Sequence, residues 1–76
     1  MDKKLIAKRL IELRGEKTQF EVAKEVGISL SALAMYETGN RTPRDEIKIK
    51  LAKYYGITVE SLFFSPDMSR NVSNSN

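Results

Sequence analysis

The stretch from Gln19 to Thr38 constrains this chain most, because Gly27 stands at its ninth position between two short runs with helical spacing. Two helices joined by so tight a glycine-started turn must cross steeply, since the connection is too short for side-by-side packing. Close approach then demands a small residue on the first helix, and Ala23 supplies it at the fifth position. The second helix needs an aliphatic anchor facing back, and Leu33 stands at the fifteenth position. Val22, Val26, Ile28 and Tyr36 complete an apolar seam. The pattern predicts a helix-turn-helix.

The remaining glycines extend the same punctuation. Gly15, Gly27, Gly39 and Gly56 each follow a segment with helical periodicity, as helix-ending residues should. Five short helices are expected, with no strand pattern between them. The first runs from about Asp2 to Arg14, with Ile6, Leu10 and Leu13 on one face. Thr18 and Glu21 form a capping box at the start of the second. Ser29 caps the third, which carries Leu33 and Tyr36 inward. Thr42 followed by Pro43 reads as a cap and first-turn proline for the fourth, with Ile47, Leu51 and Tyr54 inward. Thr58 caps a last short helix bearing Val59, Leu62 and Phe63. Phe63 and Phe64 are adjacent, so one helical face cannot bury both equally. One is expected to face a partner subunit. Residues 1–64 thus read as one domain, and the Ser/Asn-rich residues 65–76 as a flexible tail.

Composition narrows what such a domain can do. A chain of 76 residues buries only about 60% of its unfolded surface, which leaves little room for a pocket. It has no cysteine and no histidine, so disulfides, thiolate metal sites and the commonest general base are absent. No nucleophile–base pair or metal cluster stands out, and neither catalysis nor a cofactor or small-molecule ligand is expected. Thirteen basic against ten acidic residues give a formal charge of +3, a mild excess compatible with nucleic acid. Lys3, Lys4, Lys8, Arg9 and Arg14 load the first segment, and Arg41 and Arg44 flank Pro43. Neither a signal-peptide-like run nor an apolar stretch long enough to cross a membrane occurs, so a cytoplasmic protein is expected.

The residues Thr18-Gln19-x-Glu21-Val22-Ala23, Val26-Gly27-Ile28-Ser29 and Tyr36-Glu37-x-Gly39-Asn40-Arg41-x-Pro43 resemble the Cro/cI (Xre) phage-repressor helix-turn-helix family. So does Leu51-Ala52-x-Tyr54-Tyr55-Gly56-Ile57-x-Val59-x-x-Leu62-Phe63 downstream. The resemblance spans roughly residues 6–64. It implies an all-α, compact, five-helix lambda-repressor-like domain with the helix-turn-helix at helices 2 and 3. It also implies a transcriptional regulator of the repressor type that binds double-stranded DNA as a homodimer on a palindromic operator.

Carried over by that resemblance, Gln19 and Ser29 would touch DNA phosphates at helix N-termini. Leu30, Ser31 and Met35 would meet base edges, Asn40 and Arg41 would contact phosphates, and Arg44 would reach backbone or the adjacent minor groove. An arginine of the first helix, taken as Arg9, would pair with Glu37 to pin the recognition helix. Phe20 has no role in this scheme. The link from Arg14 to Lys17 is shorter than the usual family form, a change expected to alter a surface loop and nothing else.

The reading face itself is unusual. Leu30, Ser31, Ala34 and Met35 include none of the side chains that bind guanine or adenine bidentately. Readout would then lean on hydroxyl bonds and thymine methyl groups, or on DNA shape alone. A rival reading keeps the fold but turns the Leu30–Met35 face toward protein, as in an interaction module or antitoxin.

Overall fold

A computed structural model describes residues 2–64. The chain runs through α1 (Lys3–Arg14), α2 (Gln19–Val26), α3 (Leu30–Thr38), α4 (Asp45–Tyr55) and a final π-helix (Glu60–Phe64). No strand occurs among the described residues. The expected all-helical, five-helix architecture is the observed one. The tail expected over residues 65–76 lies outside the described residues.

Local chemistry sets most of the boundaries. Asp2 caps α1 by accepting from the Lys4 amide at 3.0 Å. The capping box at α2 is complete: Thr18 Oγ1 accepts from the Glu21 amide at 3.0 Å, and the Thr18 amide donates to Glu21 Oε1 at 2.8 Å. Ser29 Oγ accepts from the Ala32 amide at 3.0 Å at the start of α3. Thr58 caps the final helix, accepting from the Ser61 amide at 3.0 Å. Gly27 closes α2 in the left-handed conformation (φ 86°, ψ 36°), which a side chain would strain.

The fourth helix starts later than the Thr42–Pro43 pair predicts. Pro43 is buried and precedes the helix, Arg44 is the extended N-cap residue, and it makes no side-chain capping bond. Asp45 and Glu46 fill the first turn instead, where their charge complements the positive end of the helix dipole. A proline at the first helical position is only one way to begin a helix.

Two clusters form the core. One gathers Ile6, Leu10, Tyr36, Leu51, Leu62 and Phe63, with Ala52 among them. The other joins Val22, Ala23 and Leu33 at the crossing of α2 and α3. Ala23 and Leu33 thus take the small-residue and anchor positions expected of them. Val26, Ile28 and Tyr55 pack against both clusters and weld them together. At the C-terminal end, Phe63 is 1% exposed and Phe64 58% exposed, the division expected of neighbours on one helix.

Tyr55 carries a strain of a different sort. Its hydroxyl is buried and has no hydrogen-bond partner among the described residues. Burial, and then the nearby Glu37 carboxylate, push its pKa from 10.0 to about 12. Because the folded value is raised, the native state holds this proton more tightly than the unfolded chain. Its contribution to stability is complete below pH 10 and is lost as pH rises toward 12. Chemical unfolding followed at pH 9, 10, 11 and 12 is expected to show a steep alkaline loss that Tyr55→Phe reduces. At neutral pH the same substitution should cost nothing measurable, because it removes an unsatisfied hydroxyl.

Candidate nucleic-acid interface

The third helix presents two unlike sides. Leu33, Tyr36 and Glu37 are buried, whereas Leu30 and Ser31 are exposed and Met35 is half-buried. Leu30 stands 47% exposed in the first turn, a large aliphatic with no core to enter. The face expected to read bases is therefore open rather than occluded.

The segment after α3 is tied to that face through one carbonyl. Met35 O accepts from the Asn40 amide at 3.0 Å, the Arg41 amide at 3.3 Å and Thr38 Oγ1 at 3.2 Å. Asn40 Nδ2 donates to Thr38 Oγ1 at 3.0 Å. Asn40 and Arg41 thus ride on α3 as one unit, with both side chains exposed. Beyond them, Ser29, Arg41 and Arg44 line a single open cleft of about 650 Å³, floored by Ile28, Tyr36 and Ile47. Three of the expected backbone contacts share this cleft.

Gln19 is placed differently. It opens α2 as expected, but its side-chain Nε2 donates to Glu37 Oε1 at 2.8 Å. That bond ties the N-terminus of α2 to the last turn of α3. Phe20 beside it is 62% exposed, and the described residues give it no partner.

The expected Arg9–Glu37 pair is not the one formed. Arg14, in the last turn of α1, grips the Glu37 carboxylate through Nε, at 3.1 Å to Oε1 and 3.0 Å to Oε2. The hydrogen bond to Glu37 raises the Arg14 pKa further. Arg9 instead donates through Nη1 to the carbonyls of Ser61 at 2.9 Å and Leu62 at 3.4 Å, holding the final helix. Both arginines lie on α1, and spacing alone did not separate their duties. The useful signal was position: Arg14 ends its helix four residues before Thr18, beside the entry to the helix-turn-helix.

The short link also does more than shape a loop. Arg14 Nη1 donates to the Lys17 carbonyl at 2.8 Å. Lys17 Nζ donates to Tyr54 Oη at 2.8 Å and to Glu25 Oε1 at 3.3 Å, and the Tyr54 hydroxyl donates to the same Glu25 oxygen. The Tyr54 bond and then the Glu25 bond raise the Lys17 pKa, while Tyr54 and then Lys17 lower that of Glu25. The link thereby fastens α2 to α4.

A helix-turn-helix family model matches residues 7–62. The chain belongs to the Cro/cI-type helix-turn-helix family of transcriptional regulators. An uncharacterized HTH-type transcriptional regulator of Methanocaldococcus jannaschii is 32% identical over 50 residues, covering 66% of this chain and 76% of that protein. The cryptic phage CTXphi transcriptional repressor RstR of Vibrio cholerae is 33% identical over 60 residues, covering 76% of this chain. The matched region spans about half, 54%, of that repressor. No solved structure gives a significant match. No helix among the described residues is long and apolar enough to cross a membrane.

The Arg14–Glu37 pair generates a stability test. Glu37 is 1% exposed in its side chain, so removing its cation leaves a buried, uncompensated charge. Arg14→Met is expected to cost about 3–5 kcal/mol in urea unfolding. Adding Glu37→Leu should recover much of that loss, because two apolar groups replace the pair. Additive losses in the double variant would show that the pairing is not what holds the helix.

Proposed function

We propose that this protein is a repressor that binds a palindromic double-stranded DNA operator as a homodimer in the cytoplasm, without catalysis. The observation that carries this reading is the exposed first turn of α3, with Leu30 and Ser31 outward, flanked by the cleft of Ser29, Arg41 and Arg44. An apolar reading head bordered by two arginines and hydroxyl groups, with Glu46 as the one carboxylate of the cleft, suits a major groove bordered by phosphates. In this reading Leu30, Ser31 and Met35 meet base edges. Ser29, Asn40 and Arg41 contact phosphates, and Arg44 reaches backbone or the neighbouring minor groove. Gln19 offers its backbone amide to a phosphate while its side chain stays on Glu37.

Dimerisation follows from the size of the reading head. One such helix spans too few base pairs for useful specificity, and two-fold partners read half-sites roughly 34 Å apart. Phe64, exposed beneath the Lys48 ammonium at 4.8 Å from its ring centroid, supplies an apolar contact for the second copy. Phe64→Glu is expected to shift the protein to monomer in sedimentation equilibrium and to weaken binding to the full operator far more than to a half-site. A Phe64→Glu protein that stays dimeric would move the interface elsewhere.

Selection of bound duplexes from a random DNA pool tests the whole reading, with symmetric half-sites one helical turn apart as the expected product. Replacing thymines in the selected half-sites with uracil should then weaken binding, since uracil lacks the methyl group. Unchanged affinity would assign readout to DNA shape. Failure to retain any duplex even at low salt would favour a protein partner for the Leu30 face.

A further inference from the structure

Lys3 and Lys4 form the first turn of α1, and that turn contains no acidic residue. Cations there stand at the positive end of the helix dipole, where they disfavour the helix. Neither lysine has an ion-pair partner among the described residues, and both are exposed. The Asp2 carboxylate caps this turn by accepting from the Lys4 amide, which leaves both ammonium groups exposed and available to an outside anion.

Packing places them beside the DNA-facing segment. Gly39 follows α3 in the left-handed conformation with φ +79°, and its backbone lies directly against the start of α1. A Cβ added at Gly39 would sit 3.6 Å from the Lys3 carbonyl oxygen and 3.8 Å from the Lys4 Cα. Lys4 also shares a shallow groove with Thr38, whose hydroxyl holds the Asn40 side chain. The first turn of α1 therefore lies against Thr38 and Gly39, the two residues that lead directly into Asn40 and Arg41. Glu12 borders the same groove further along α1 and sets its distal limit with an opposite charge.

We propose that Lys3 and Lys4 form a second phosphate-binding strip, continuing the backbone contact of Asn40 and Arg41 along the DNA strand. This inference rests on the DNA-binding reading above and adds two residues to it. The strip carries no sequence information, because ammonium groups on flexible stems recognise phosphate charge. It strengthens and orients binding while Leu30, Ser31 and Met35 set preference.

The test compares three proteins on the selected operator: the wild type, Lys3→Gln/Lys4→Gln, and Lys50→Gln/Lys53→Gln on α4, which removes the same charge. Each phosphate neutralised contributes about 0.9 to the slope of log Kobs against log salt. The Lys3/Lys4 variant is expected to be shallower by about two, with base preference unchanged, while the Lys50/Lys53 variant keeps the wild-type slope. Thermal unfolding should show the Lys3/Lys4 variant as stable as the wild type or more so, separating lost contact from lost fold. Equal slope changes in both variants would reduce the effect to bulk charge and overturn the strip, as would an unchanged slope in the first. A wild type that binds no duplex at any salt would remove both the strip and the reading beneath it.

Discussion

A carboxylate buried at the C-terminal end of a helix must find donors, and Glu37 finds them on two other helices. It sits in the last turn of α3, where the helix dipole already disfavours negative charge, and water barely reaches it. Arg14 comes from the end of α1 and Gln19 from the start of α2. Satisfying one group therefore fixes three helix ends together. A buried pair of this kind adds little net stability over well-packed apolar residues, but its hydrogen bonds have one good geometry. Core packing alone would tolerate small rotations of α3 about its axis. The Glu37 bonds resist them, and any rotation would turn Leu30 and Ser31 away from their present outward direction.

The shortened link between α1 and α2 belongs to the same arrangement. Few residues separate Arg14 from Thr18, so the end of α1 is drawn against the start of α2, and Arg14 holds both Glu37 and the Lys17 carbonyl. Lys17 then reaches across to Tyr54 and Glu25. These outer contacts are solvent-exposed, and individually such pairs are weak and screened by salt. Their value is geometric: a short connection with fixed ends leaves little freedom for α2 to slide against α4. A longer link would relieve that constraint at small entropic cost, since closure entropy grows slowly with length.

Sequence reading succeeded where the physics is local. Caps at Thr18, Ser29 and Thr58 satisfy backbone donors within three residues, and all four glycines occupy positive-φ positions. Both can be seen in a string of letters. Ala23 and Leu33 were legible because a tight helix crossing leaves few acceptable residues at those offsets. The choice between Arg9 and Arg14 was not legible, because it depends on where α1 ends relative to α3 in space. The start of α4 was misplaced for a related reason: Pro43 is held by burial, and the helix begins only after an uncapped Arg44. The exposed residues of the candidate interface came from family resemblance, and their assembly around one cleft depends on the α3–α4 connection, which no spacing rule describes. Phe20 stayed unassigned in both views.

The apolar character of α3 has a wider consequence. A helix that is apolar around most of its circumference is usually buried, or covered by something else. Here one side packs against α1 and α2, while Leu30, Ala34 and Met35 leave apolar surface on the other. A purely hydrophobic partner would fit that surface but would leave Arg41 and Arg44, two cations against the one carboxylate of their cleft, Glu46, short of a matching anion. A partner presenting methyl groups in a narrow channel walled by negative charge meets both requirements together. Thymine-bearing major groove has that composition: a hydrophobic methyl on the base edge, a groove about 12 Å wide, and a phosphate chain along each rim. Under the proposed DNA-binding function, the lack of bidentate side chains is a reason to expect T-rich half-sites rather than an objection, and discrimination would then come from close apolar fit on a helix whose rotation Glu37 restrains.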